Sequence, residues 1–154
     1  MDVKLKKGFT TISRFLVAIC SCLFLITSSG CEENPDGGGI IPYAFVDLSL
    51  NLNKFELLPL KTIGGYVQID GGVRGIIIYR ESNTHYRAFE RNCTYEPLND
   101  CARVEVDQSG LFMIDPCCNS SFDFQGFPTG GPASISLKEY RTFVNGNFLE
   151  ITND

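Results

Sequence analysis

Histidine is nearly missing from these 154 residues; the one present is His85. No two cysteines have the C-x-x-C spacing, no segment sustains a helical period, and the apolar run Phe15 to Ile26 falls short of the roughly 20 residues that span a bilayer. Each scarcity removes a class of activity. No nucleophile has a histidine partner, and His85, at the start of an alternating segment, reads as a surface strand residue. No glycine loop precedes a helix to cradle phosphate, and no carboxylate pair has an informative spacing. No catalytic residue is assigned, so an enzyme has no residue to support it. Basic residues are also outnumbered, 13 Lys and Arg against 18 Asp and Glu, which argues against nucleic acid or an anionic lipid surface as a partner sought by charge.

What is present first is an address. Residues 1–30 have a basic start (Lys4, Lys6, Lys7, Arg14), an apolar run, and small residues Ser28, Ser29 and Gly30 ahead of Cys31. Small residues ending at a cysteine resemble a bacterial lipobox, although Ser28 stands where the pattern prefers Leu. The resemblance implies cleavage before Cys31 and lipidation of its thiol, and hence a membrane partner held through acyl chains. Cys20 and Cys22 lie in the discarded segment. Residues 31–39 carry Glu32-Glu33-Asn34-Pro35-Asp36 and then three glycines, an acidic flexible tether with no apolar residue to bury. An acidic stretch after the lipidated cysteine also resembles the surface-export signal of Bacteroidetes lipoproteins. The expected location is therefore the outer membrane, facing the periplasm or the surface. Removing four basic residues and Asp2 with the signal takes the formal charge from -5 to -8. Export also places the remaining cysteines in an oxidising compartment, where close pairs form disulfides.

Residues 40–154 are the length of a single core. Tyr43 to Leu52 alternates, with Val46, Leu48, Leu50 and Leu52 on one face, as a half-buried strand does. Phe55 to Leu60 reads as a linker or edge piece because of Pro59. Ile63 to Gly72 reads as a short strand closed by a glycine turn, and Val73 to Arg80 holds the β-branched run of a strand buried on both faces. Ser82-Asn83-Thr84 turns the chain into His85–Glu90. Arg103–Asp107 and Gly110–Ile114 form a second hairpin, and Phe122 to Gly126 begins a return. Pro128 to Ala133 is a turn-rich loop. Glu139–Val144 and Asn147–Ile151 flank Asn145-Gly146, the strongest short hairpin signal. The class is all-β, a small antiparallel sandwich or barrel. Phe45, Phe55, Tyr66, Phe112, Phe122 and Phe143 are expected in the core. Glu96, Asp100, Glu105 and Asp107 are expected to be solvated.

Between these strands lie two loops, Cys93-Thr94-Tyr95 and Asp115-Pro116-Cys117-Cys118-Asn119-Ser120-Ser121-Phe122-Asp123, with Cys101 between them. From about Gly71 to Ile151 the chain resembles Rieske iron-sulfur domains, which pair a C-x-H loop with a C-P-x-H-G-S-x-F-D loop. Gly131-Pro132-Ala133, Leu137 and Tyr140 resemble the proline loop that covers the family's cluster. The resemblance implies the fold, and it also places the ligand positions. A Rieske cluster needs two thiolates on one iron and two imidazoles on the other. Here Cys93 keeps its ligand type, Tyr95 stands at the first histidine, Asp115 at the second cysteine and Cys118 at the second histidine. A cluster held by two histidines does not form within a chain that has one, so no cofactor is expected.

The four cysteines have three readings. As disulfides they allow three connectivities; the resemblance implies Cys93 with Cys118, facing the lost cluster, and Cys101 with Cys117, at a position where some relatives carry a non-ligand disulfide. As metal ligands, Cys93, Cys101, Cys117 and Cys118 would form an all-thiolate set for zinc or an iron-sulfur cluster. A redox-active disulfide is the third, without a basic neighbour to favour a thiolate. The expectation is a stapled domain in a structural or binding accessory role with an envelope protein partner; the alternative is an electron carrier with atypical cysteine ligands.

Overall fold

The computed structural model describes residues 40–153. Residues 1–39, on which the expectations of a signal, a lipidated Cys31 and a tether fall, lie outside the described residues. Strands β1 (Asp47–Asn51), β2 (Tyr66–Ile69), β3 (Ile76–Arg80), β4 (Tyr86–Glu90), β9 (Glu139–Asn145) and β10 (Phe148–Thr152) make a six-stranded sheet in the order β1-β10-β9-β4-β3-β2. Strands β5 (Glu105–Val106), β6 (Met113–Asp115), β7 (Ser120–Phe122) and β8 (Pro128–Gly130) make a second, in sequence order. Every strand pair is antiparallel. The all-β expectation is met.

Side-chain alternation explains the layering. Ile76 and Ile78 of β3 point to one side, into a core with Val67, Tyr86, Ala88, Tyr140, Leu149 and Ile151. Ile77 and Phe89 point to the other, against Val104, Met113 and Phe122 of the smaller sheet and its lead-in. A strand buried on both faces has no room for alternation, which is why Ile76-Ile77-Ile78 is unbroken. Along β1 and the residues on either side of it the inward row is Val46, Leu48, Leu50 and Leu52, as the alternation predicts. The hairpins β3–β4, β5–β6 and β9–β10 fall where their turn residues place them, the last with Phe148 opposite Asn145 across Gly146.

Three expectations need correction. Phe55–Lys61 is a 3-10 helix, where Phe55 to Leu60 is expected as a linker or edge piece. Three residues per turn put Leu57 and Leu60 on one side, and both are buried against the first core. Pro128–Gly130 pairs with β7, so the turn-rich loop begins as a strand. Phe45, Phe55 and Phe143 are exposed, unlike buried Phe122. Phe45 neighbours inward Val46, and Phe143 lies opposite Glu150 while Thr142 faces buried Ile151, so a period of two turns both rings outward.

Glu90 ends β4 on the same face as Tyr86 and Ala88 and is fully buried. Its carboxylate accepts four hydrogen bonds. Arg74 N–H and Asn92 N–H reach Oε1 at 3.0 and 2.9 Å, and Val73 N–H and the Tyr140 hydroxyl reach Oε2, each at 2.7 Å. A buried charge is tolerated only when its lone pairs are met in this way. Burial and the carboxylate beside it push the Tyr140 phenol well above its ordinary range. The network ties the turn before β3 to β9 and to the residue ahead of Cys93.

Candidate functional site

The first loop leaves β4 through Arg91 and Asn92. Val104 N–H donates to Arg91 O at 2.6 Å and Cys93 N–H to Ala102 O at 3.3 Å around an Asn92–Arg103 β-bridge, and Cys93, next in the chain, is fully buried. Arg74 clamps the outer part of the loop: its guanidinium donates to Asn92 Oδ1, to Asp100 O at 2.6 Å and to Asn99 O at 2.7 Å. Asn92 Nδ2 in turn donates to Pro97 O at 3.1 Å. Tyr95, at the first histidine position of the resemblance, is half-buried beside this core.

The second loop turns between β6 and β7. Asp115 is fully buried, and its Oδ1 accepts Cys117 N–H at 2.8 Å while its main-chain carbonyl accepts Asn119 N–H at 2.8 Å. Asn119 has φ 60°. That left-handed conformation suits glycine first and asparagine next, which explains how the loop keeps its shape where the related motif has glycine. Asp123, at the motif's end, accepts Gln125 N–H at 3.0 Å and Phe127 N–H at 2.8 Å through Oδ1 and closes the following turn.

Residues 131–135 lie over both loops. Ala133 N–H donates to Ser120 Oγ at 3.0 Å, and Thr94 Oγ1 donates to Ile135 O at 2.7 Å. A side chain at Gly131 would meet Asn119 O and Ser120 Cα at 2.5 Å, so glycine is required for the close approach.

Cys101 and Cys117 form a disulfide with Cα atoms 5.6 Å apart, and both residues are exposed. The expected bridge between these loops is present. Cys93 and Cys118, expected as the second pair, are two thiols in contact, with Sγ atoms 3.9 Å apart. The four-cysteine metal set is not assembled, because half of it is consumed by the bridge. In its place Cys93, Asp115 and Cys118 converge, with their ligand atoms all within 4.8 Å of one another. Cys118 Sγ lies 3.3 Å from Asp115 Oδ2 and 3.0 Å from Ser120 Oγ. Burial pushes the Cys93 thiol well up; the Tyr95 N–H opposes this, and the Asp115 carboxylate adds to it.

His85 is exposed and lies beside Glu81, Nε2 to Oε2 3.6 Å. It stands before β4 and Cys93 after it, eight residues on at about 3.3 Å each. The exposure of His85 agrees with a surface residue. Glu96, Asp100 and Glu105 are exposed, and Asp107 caps its own turn by accepting Ser109 N–H at 2.8 Å. Sequence reasoning missed the burial of Asp115 and Glu90. The signal for Glu90 was its parity with Tyr86 and Ala88. Asp115 had a weaker one, its place between Ile114 and the cysteines.

Two antiparallel sheets joined through a pair of cysteine-bearing loops, with a third loop lying over them, define a Rieske-type fold. No family model matches the chain, and no curated protein matches it. Among solved structures, the crystal structure of the cyanobacterial plasma membrane Rieske protein PetC3 from Synechocystis PCC 6803 is similar, with a TM-score of 0.50 at 23% identity. The match covers 63% of this chain and 94% of that one. At that identity the likeness shows the fold.

The residues at the four cluster positions do not fit a Rieske centre. Two imidazoles are required on one iron, whereas the donors here are Cys93, Tyr95, Asp115 and Cys118, and Asp115 and Cys118 already satisfy each other. No helix among the described residues is long and apolar enough to cross a membrane.

Proposed function

We propose that this chain is a lipid-anchored protein of the cell envelope, held to the outer membrane through Cys31, whose Rieske-type domain has lost its iron-sulfur cluster and serves as a structural or binding accessory. The donor set carries the reading: thiol, phenol, carboxylate and thiol stand at the four positions, and the one histidine lies at the far end of β4. Contacts within the chain support the loops. Arg74 secures the first, Asp115 and Asn119 shape the second, and the Cys101–Cys117 bridge joins them.

The same edge suits contact with a protein partner. Leu98 of the first loop and Ile135 of the covering loop are exposed apolar side chains, and Pro132 of the covering loop is exposed as well. An electron port would instead place an imidazole there.

The reading is tested by fractionation and spectroscopy together. The wild-type chain is expected in the membrane fraction and Cys31→Ser in the soluble one; protease shaving of intact cells assigns the leaflet. Dithionite reduction followed by electron paramagnetic resonance is expected to show no cluster signal. A Rieske signal would overturn the accessory role, and a membrane-bound Cys31→Ser protein would overturn the anchor.

A further inference from the structure

Two buried residues, Cys93 and Asp115, and half-buried Cys118 converge at the junction of the loops, with their ligand atoms all within 4.8 Å of one another. We infer that Cys93, Cys118 and Asp115 form a site for a single thiophilic divalent cation of zinc's kind, with water in the fourth position. This goes beyond the accessory role and holds with or without the lipid anchor.

The distances carry the inference. Tetrahedral zinc with Zn–S of about 2.3 Å sets two ligating sulfurs about 3.8 Å apart; Cys93 and Cys118 stand at 3.9 Å. With Zn–O of about 2.0 to 2.2 Å, sulfur and oxygen ligands lie about 3.5 Å apart; Cys118 Sγ and Asp115 Oδ2 stand at 3.3 Å. A disulfide would need the sulfurs at about 2.05 Å. Little movement is therefore needed to bind the ion, and more to join the sulfurs.

The surroundings hold the ligands in place. Asp115 Oδ1 is occupied by Cys117 N–H, which fixes the carboxylate with Oδ2 turned to the sulfur. Cys93 and Asp115 are buried on the β-bridged start of one loop and the end of β6, while Cys118 is half-exposed and gives a way in. Outer hydrogen bonds of this sort orient metal ligands and raise affinity. The bridge to Cys101 removes Cys117 from competition, so one of the two adjacent cysteines is left to ligate. Two thiolates and a carboxylate carry three negative charges, so a divalent ion is favoured over a monovalent one. Binding releases the two thiol protons to solvent, with no change in oxidation state.

The test uses the full-length exported chain, purified anaerobically in detergent, stripped with a chelator and titrated with cobalt and then zinc. Expected is one ion per chain, with thiolate-to-cobalt charge-transfer absorbance that zinc bleaches. Asp115→Asn keeps an oxygen for Cys117 N–H and should leave the metal-free melting temperature close to wild type, while weakening metal binding about 10-fold or more. Cys118→Ala should abolish the charge-transfer band, and a Cys101→Ser/Cys117→Ser variant should retain it. The inference is overturned by no uptake with two free thiols measured, by a Cys93–Cys118 disulfide in the anaerobic protein, by undiminished binding in Asp115→Asn, or by a band that survives in Cys118→Ala.

Discussion

Replacing Glu90 by glutamine should expose how much of this fold depends on one buried carboxylate. Glutamine has the same shape, but one of its two terminal atoms is an NH2 group, and each carboxylate oxygen of Glu90 receives two donors. At the Oε1 position the NH2 would confront the main-chain N–H groups of Arg74 and Asn92, neither of which turns. At the Oε2 position the Tyr140 hydroxyl rotates to accept from it, leaving Val73 N–H opposed. The second arrangement is cheaper, and it still orphans one buried donor at about 1 to 3 kcal/mol. The surviving bonds also lose their charge assistance, so the total is about 2 to 4 kcal/mol, a large share of a typical domain stability of about 5 to 15 kcal/mol. Tyr140→Phe removes one bond and should cost about 1.5 kcal/mol. Urea unfolding of wild type, both single variants and the double variant gives each value and the coupling between the residues. A Glu90→Gln cost below about 0.5 kcal/mol, within the range of ordinary surface changes, would refute the reasoning.

Other outcomes follow from the same geometry. Cys101→Ser/Cys117→Ser opens a bridge of sequence separation 16 and should lower stability by about 3 kcal/mol, read as a fall in the urea midpoint without loss of strand signal in circular dichroism. Gly131→Ala would drive a methyl into the main chain of Asn119 and Ser120, and φ +81° at that position adds strain; raised hydrogen exchange confined to both loops and residues 131–135 is the expected sign. The folded chain holds the Cys93 and Tyr140 protons more tightly than the unfolded chain. Their contribution is therefore fully present below the unfolded values and falls as pH rises past about 8.5 for the thiol and about 10 for the phenol. Urea midpoints should decline across that alkaline range, and Tyr140→Phe should remove the upper part of the decline.

Most of the strands were legible because burial on one face writes a period of two, and burial on both faces writes an unbroken run such as Ile76 to Ile78. The hairpin at Asn145-Gly146 was legible from turn chemistry alone. Phe55–Lys61 was misread because a 3-10 turn uses a period of three, which Leu57 and Leu60 show only when both are known to be inside. The site was half legible. The resemblance placed Cys93 and Cys118 facing each other and implied the bridge between Cys101 and Cys117. The resemblance put Asp115 at a ligand position, but its burial was hidden until the main-chain donor that holds its carboxylate is seen. Arg74 was hidden for a similar reason: its acceptors, Asn99 O and Asp100 O, are main-chain atoms 25 and 26 residues away, and main-chain acceptors leave no trace in side-chain identity.

The central claim, that a Rieske-type fold here stands without its cluster, is tested most directly by iron and acid-labile sulfide per chain. The sample is the whole chain purified without reductant, with visible absorbance read alongside. The account predicts neither iron nor sulfide and no visible band before metal is added. About two irons and two sulfides per chain, with the absorbance of a [2Fe–2S] centre, would contradict it.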